Sequence, residues 1–256
     1  MPTSITKPAS PKKIVLILGS APMAMACRDW PRGAISKIVA INNAWQIRKD
    51  WDYFIHPDDF PRQRHPPQIA PHQTRITSAD YVPSQNEYGG FVYAGGTMAF
   101  TAAYWALAAL RPDVMAFYGC DMVYPATGNT HFYGTGTADP LRKDISLRNL
   151  EAKSARLTLL AAYAGCACVN LSDGPSRLVF RRATLETLET TTVQKIANPK
   201  AIHTPMAVEE RLAYRVPSGR YWKEQFRFDT DNIDALDSLW LEAHHSLNAN
   251  GDRASL

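Results

Sequence analysis

The hydrophobic pattern begins with an unbroken apolar run, residues 13–18 (KIVLIL), that stops at Gly19-Ser20-Ala21-Pro22. A β-branched run of this length, with no polar interruption, suits a strand buried on both faces of a parallel sheet. The pattern recurs along the chain. Residues 37–41 read as a strand ending in Asn42-Asn43, and residues 52–55 as one ending in His56-Pro57-Asp58-Asp59. Residues 114–118 read as another, ending in Gly119-Cys120-Asp121. Between these runs the spacing turns helical. A helix is predicted over 23–30, with Pro22 near its first position, and a short one over 44–50. An apolar helix over 98–110 stops before Pro112. Residues 60–73 are rich in proline and read as a loop, and 75–82 as a short edge strand. Leu147, Leu150, Ser154, Leu157, Ala161 and Ala164 recur at helical spacing and predict an amphipathic helix over 142–164. Gly165 closes it, and a further strand is expected at 168–171. Strand–helix alternation over residues 13–173 predicts an α/β domain: a Rossmann-like, mainly parallel sheet with helices on both faces.

The pattern changes after Asp173. Residues 174–256 are expected to form a C-terminal helical appendage, with helices over 206–214 and 232–247 and with Asp229 or Asp231 capping the second. Trp222, Phe226, Phe228, Leu236, Leu239 and Trp240 supply apolar surface that predicts docking on the sheet domain or on a second copy of the chain. Residues 1–12 are polar and proline-bearing and are expected to be flexible, as is the end from Asn248.

Composition narrows the functional classes. A hydrophobic fraction of 45% and a charged fraction of 20% over 256 residues are those of a globular protein. A net charge of +4 without a dominant Lys/Arg block argues against nucleic acid as partner but suits a phosphate-bearing ligand. The four cysteines have no metal-ligand spacing and read as buried, reduced thiols. With no signal-like apolar segment near Met1, and no run near the roughly 18 apolar residues that span a bilayer, the expected setting is cytoplasmic. Membrane contact, if any, is expected to be peripheral.

In a parallel sheet the carboxyl ends of strands open onto the ligand crevice, so the strand ends are the candidate site. Gly19-Ser20-Ala21 is either a tight turn or a phosphate cradle of backbone N–H groups. Asn42 and Asn43 either end a strand or present amides to a ribose or a pyrimidine edge. His56 with Asp58 and Asp59 has the donor types of a divalent-ion site but lacks a second set of ligands. Gly95-Gly96-Thr97 opens an apolar helix, where glycines permit close packing or close approach by an anion. Asp121, Tyr124, His131 and Tyr133 follow the end of the 114–118 strand.

These junctions, in this order, resemble the bacterial sialyltransferases of glycosyltransferase family 42. That family has an early strand ending Gly-x-Gly-Pro, then strands ending in Asn and in Asn-Pro, then a Ser-Gly helix start. A strand ending Gly-x-Asp with tyrosines and a His-Tyr-x-Gly-His loop complete its pattern. The counterparts here are Gly19-Ser20-Ala21-Pro22, Asn43, His56-Pro57, Gly95-Gly96-Thr97, Gly119-Cys120-Asp121 with Tyr124, and His131-Phe132-Tyr133-Gly134-Thr135. The likeness covers residues 13–172.

The resemblance implies a CMP-activated sugar as donor, a glycan or other hydroxyl as acceptor, inversion at the anomeric carbon, and no metal or other cofactor. Gly19, Ser20, Ala21, Asn42, Asn43, His56, Gly95, Gly96, Thr97 and Asp121 would bind the nucleotide. His131 would be the general base, imidazole being the side chain that titrates nearest neutrality. Tyr124 and Tyr133 would donate to the departing phosphate. Three positions depart from the family: Thr135 stands where the family has its base, His56 replaces an asparagine, and Ala21 a glycine. The junctions also look like those of flagellin-modifying motility accessory factors and archaeal hydroxymethylpterin diphosphokinases. The latter use a magnesium nucleotide, for which Asp58, Asp59 and Asp121 would be ligands. A catalytically silent nucleotide-binding module is the third reading.

Overall fold

The computed structural model describes residues 11–135, 142–196 and 200–248. Residues 1–10 and 249–256, most of the two ends expected to be flexible, lie outside these. Among the described residues seven strands form one sheet, every pair parallel: β1 (Ile14–Leu18), β2 (Ile35–Ile41), β3 (Tyr53–Ile55), β4 (Thr74–Ile76), β5 (Val114–Tyr118), β6 (Ala167–Asn170) and β7 (Arg181–Arg182). Their order is β4-β3-β2-β1-β5-β6-β7. The chain builds outward from β1 to β4, crosses over, and builds outward again from β5. The reversal falls between β1 and β5, which pair from Ile14↔Val114 to Leu18↔Tyr118.

Both central strands are fully buried, as continuous apolar runs require. Ile14, Leu16 and Leu18 point into one core and Val15 and Ile17 into the other. The core containing Val15 and Ile17 lies beneath α1 (Ser78–Glu87), α2 (Phe91–Ala94), α3 (Met98–Leu110), α4 (Leu150–Tyr163), α5 (Lys200–Leu212) and α6 (Thr230–Asn248). The other face is covered by 3₁₀ segments, Pro22–Asp29, Asn42–Gln46 and Leu185–Thr187. The α/β architecture with a Rossmann-like parallel sheet is therefore the observed one, with 3₁₀ turns in place of the helices expected over 23–30 and 44–50.

Several boundaries differ from expectation. The edge strand expected over 75–82 ends at Ile76, because Thr77 and Asp80 form a reciprocal capping box that starts α1. Pro83 inside α1 hides that helix in the sequence. The helix expected from residue 142 begins at Leu150, where Asn149 accepts from the Ala152 N–H at 3.0 Å. That later start frees residues 142–149 to build a loop beside the sheet. Asp229 rather than Asp231 caps α6, accepting from the N–H groups of Asp231 (2.8 Å) and Asn232 (3.1 Å). Asn248, expected to begin an unstructured end, is the last residue of that helix.

The C-terminal third contributes more than helices. It supplies β7, and α6 packs on α4 and α5. Ile233, Leu236 and Trp240 are buried, while Phe228 is half-buried and Phe226 and Trp222 stay 88% and 55% exposed. All four cysteines are buried thiols. No helix of the described residues is long and apolar enough to cross a membrane.

Candidate functional site

The strand reversal produces the site. Gly19 N–H donates to the Tyr118 carbonyl at 2.8 Å and Ala21 N–H to the Gly119 carbonyl at 3.1 Å, so the two strand ends are tied together. A Cβ on Gly19 would lie 2.2 Å from the Gly119 carbonyl oxygen, a backbone atom with no room to yield. Glycine is required here by close approach. Gly19→Ala is expected to cost about 1–3 kcal/mol, the range of forced overpacking, read from the urea unfolding midpoint. A midpoint unchanged from the parent would show that the two strand ends separate freely.

A cleft of about 1310 Å³ opens above this junction. Parallel sheets bind ligands at such switch points, outside the carboxyl ends of the strands. Of the residues expected at a nucleotide site, Gly19, Ser20, Ala21, Asn42, Asn43, Gly96 and Thr97 line it, and so do Tyr124, His131 and Tyr133. Asn42 adopts a left-handed φ of 50°, and its buried Oδ1 has no hydrogen-bond partner among the described residues. Thr97 caps α3 through a bond from the Phe100 N–H at 3.3 Å, which leaves the start of that helix facing the cleft.

Gly95, His56 and Asp121 are not part of the lining. A Cβ on Gly95 would sit 2.7 Å from the Phe100 ring, so this glycine serves packing beneath α3. His56 lies among aromatic rings, with centroids 4.8 Å from Phe54, 5.8 Å from Phe60 and 4.4 Å from His65. Its Nδ1 is 2.8 Å from the Pro57 carbonyl oxygen, and burial pushes its pKa down. Asp121 accepts from Asn170 Nδ2 at 2.9 Å and from Ser172 Oγ at 2.6 Å, fastening the end of β5 to the end of β6. Asp58 and Asp59 do line the cleft, without Asp121 beside them. Among the described residues no group of three or more His, Cys, Asp or Glu side chains is arranged to hold a metal ion.

The His131 loop is a tight reversal. His131 and Gly134 exchange backbone hydrogen bonds at 3.1 Å each, and Phe132 N–H donates to the Ser20 carbonyl at 3.0 Å. The loop is thereby pinned to the β1 turn. Thr130 Oγ1 lies 2.8 Å from His131 Nδ1, which orients the ring. Tyr133 stacks on it with centroids 4.9 Å apart, and the Tyr124 ring is 6.0 Å away. Thr135 is exposed, and its hydroxyl donates to the Gly128 carbonyl at 3.4 Å. Cys120 also lines the cleft, but burial pushes its thiol far above the ordinary range, which makes it a poor nucleophile.

Sequence reasoning missed one wall. Asp144 Oδ1 accepts from the Ser146 N–H (2.8 Å) and Oγ (2.6 Å), and its Oδ2 from the Tyr221 hydroxyl (2.8 Å) and Arg142 Nε (3.1 Å). Burial alone would raise this carboxyl, but those bonds outweigh it and hold Asp144 below its ordinary pKa. Arg142 Nη2 also donates to the Gly96 carbonyl at 3.2 Å, and Gly96 N–H donates to Ser146 Oγ at 3.0 Å. The network clamps residues 218–223 of the C-terminal third against the start of α3. Asp144-Ile145-Ser146 is a recognisable Asx turn, and Pro217-Ser218-Gly219 a turn signal, but no local feature pairs the two. Comparison with protein-family models, with curated proteins and with solved structures finds no match to this chain.

Proposed function

We propose that the chain is a glycosyltransferase that uses a nucleotide-activated sugar, a CMP-sugar, with inversion and without a metal. One observation carries the reading: a single switch-point cleft is lined by the β1 turn, by the start of α3 and, at its edge, by a histidine flanked by two tyrosines. Asn42 and Asn43 hold the nucleoside, and the Ser20 N–H in the β1 turn and the start of α3 take the phosphate, the Gly19 and Ala21 N–H groups being used to tie the turn to β5. His131 removes the proton of the acceptor hydroxyl as its oxygen bonds to the anomeric carbon. The bond from that carbon to the phosphate breaks on the opposite face, and the phosphate leaves with the electron pair. Tyr124 and Tyr133 donate to the phosphate oxygen on which charge grows.

The magnesium diphosphotransferase reading asks Asp58, Asp59 and Asp121 to act together, and both Asp121 oxygens are already bonded elsewhere. A nucleotide panel read by thermal unfolding separates the readings. CMP at 100 times its Kd should stabilise by about 2.7 kcal/mol, and a CMP-sugar should hydrolyse slowly without acceptor or metal. Stabilisation by magnesium ATP and not by CMP would overturn the proposal. CMP binding without any hydrolysis would leave the silent binding module.

A further inference from the structure

The cleft is larger than one ligand needs. Single small-molecule sites occupy about 300–1,000 Å³, and this one measures about 1310 Å³. Part of its wall is a strap, residues 218–223 (SGRYWK), which meets the nucleotide groups at Gly96, where the Tyr221 hydroxyl packs. The strap is rigidly built. A Cβ on Gly219 would meet Val82 at 3.0 Å and Phe91 at 3.1 Å, the Tyr221 ring stacks on Phe91 with centroids 6.1 Å apart, and Asn86 Nδ2 donates to the Pro217 carbonyl at 2.8 Å. Tyr221 is buried in the Asp144 network, which leaves its neighbours Arg220, Trp222 and Lys223 facing the cleft.

Their chemistry is specific. Trp222 is 55% exposed on a fixed backbone, a flat apolar face kept in water. Arg220 and Lys223 form no ion pair among the described residues. The charge along the cleft is also divided. Among the described residues that line the cleft, the strap carries Arg220 and Lys223, whereas the loop after β3 carries Asp58 and Asp59 against Arg64. The field along the cleft therefore draws an anionic group toward the strap and away from Asp58 and Asp59.

We propose that Ser218–Lys223 is the second-substrate subsite and that it takes an anionic saccharide. Trp222 stacks on the sugar ring, while Arg220 and Lys223 pair with its carboxylate or phosphate. Calling the occupant an acceptor rests on the glycosyltransferase reading; the binding itself does not. The aromatic face sets the ring, the two cations set the charge, and the fixed strap limits the entropy lost on binding.

The test is a tryptophan-fluorescence titration of the full chain with galactose, galacturonate and galactose phosphate. At least one charged sugar should bind about ten-fold or more tightly than galactose, the worth of one charge-assisted contact. Arg220→Gln with Lys223→Gln should erase that advantage with thermal unfolding unchanged, since both side chains are exposed. Trp222→Ala, followed by competition calorimetry, should weaken all three sugars. Carboxylate and phosphate arms report which anion is preferred. Equal binding of charged and neutral sugars, an advantage that survives the double substitution, or no sugar binding at all would each overturn the subsite. A CMP stabilisation measured in parallel keeps the two ideas apart. Loss of the charged-sugar advantage with CMP binding intact removes only the subsite, and charged-sugar binding without CMP binding removes only the nucleotide reading.

Discussion

Glu209→Gln should destabilise the protein by about 3–5 kcal/mol, the cost of stranding a buried charge. Arg156 lies on α4 and is 2% exposed, and its guanidinium is held on three sides. Nε and Nη2 donate to the two Glu209 oxygens at 2.7 Å each, Nη1 to the Tyr104 hydroxyl at 2.7 Å, and Nη2 also to the Tyr88 carbonyl at 2.6 Å. Burial works against that charge, and Glu209 with Tyr104 overrides it and raises the Arg156 pKa. Trp240 Nε1 of α6 donates to the same carboxylate at 2.8 Å, so one anion joins α4, α5 and α6. Gln keeps the volume and one acceptor but leaves Arg156 uncompensated. Urea unfolding gives the loss, and Arg156→Met combined with Glu209→Gln should cost clearly less than the sum of the two single changes, because the stranded cation is gone. By contrast the exposed pair Arg148–Asp234 joins the segment before α4 to α6, and its removal should change stability by about 1 kcal/mol or less. A loss under 1 kcal/mol for Glu209→Gln would mean that α5 and α6 are not integral to the fold. A second buried pair, Lys153 Nζ to Asp237 Oδ1 at 2.7 Å, argues that α6 is integral.

What the sequence discloses follows from the range of each interaction. The parallel core is legible because burial on both faces leaves β1 and β5 wholly apolar, a property of five consecutive residues. The switch-point cleft is legible at one remove, since a parallel sheet fixes which strand ends open to the ligand. Side-chain direction is not legible. Asp121 and Gly119 are two residues apart, yet Gly119 lines the cleft and Asp121 fastens β5 to Asn170 and Ser172. The same holds for Gly95, which packs, and Gly96, which faces the ligand space. The strap was hidden for a different reason. Tyr221 meets Asp144 across 77 residues, and Arg156 meets Glu209 across 53, so neither pairing leaves a local periodic trace. Nothing local in the sequence shows that the charges of Arg156 and Glu209 will neutralise each other in the core.

His131→Ala should lower turnover by about a hundred- to ten-thousand-fold, the usual worth of a general base, while donor affinity stays close to that of the parent. The geometry favours a chemical role over a binding one. His131 sits on the cleft wall at the end of the sheet's central strand pair, its ring oriented by Thr130 at 2.8 Å and stacked on Tyr133. The phosphate cradle proposed above lies at the β1 turn and the start of α3, which removing the imidazole leaves intact. The loop itself is held by backbone bonds, His131 to Gly134 and Phe132 to Ser20, which an alanine preserves. Folding is therefore not at stake. Thr135, the position to which the sequence resemblance would assign the base, is exposed, off the cleft and bonded to the Gly128 carbonyl, so Thr135→Ala should leave turnover within about two-fold of the parent, a change worth under 0.5 kcal/mol. A base must also leave its mark on the pH profile: the acidic limb of kcat/KM in the parent should vanish in His131→Ala. Unchanged turnover with a raised KM would place His131 among the binding groups, and a comparable loss in Thr135→Ala would move the proton transfer to position 135.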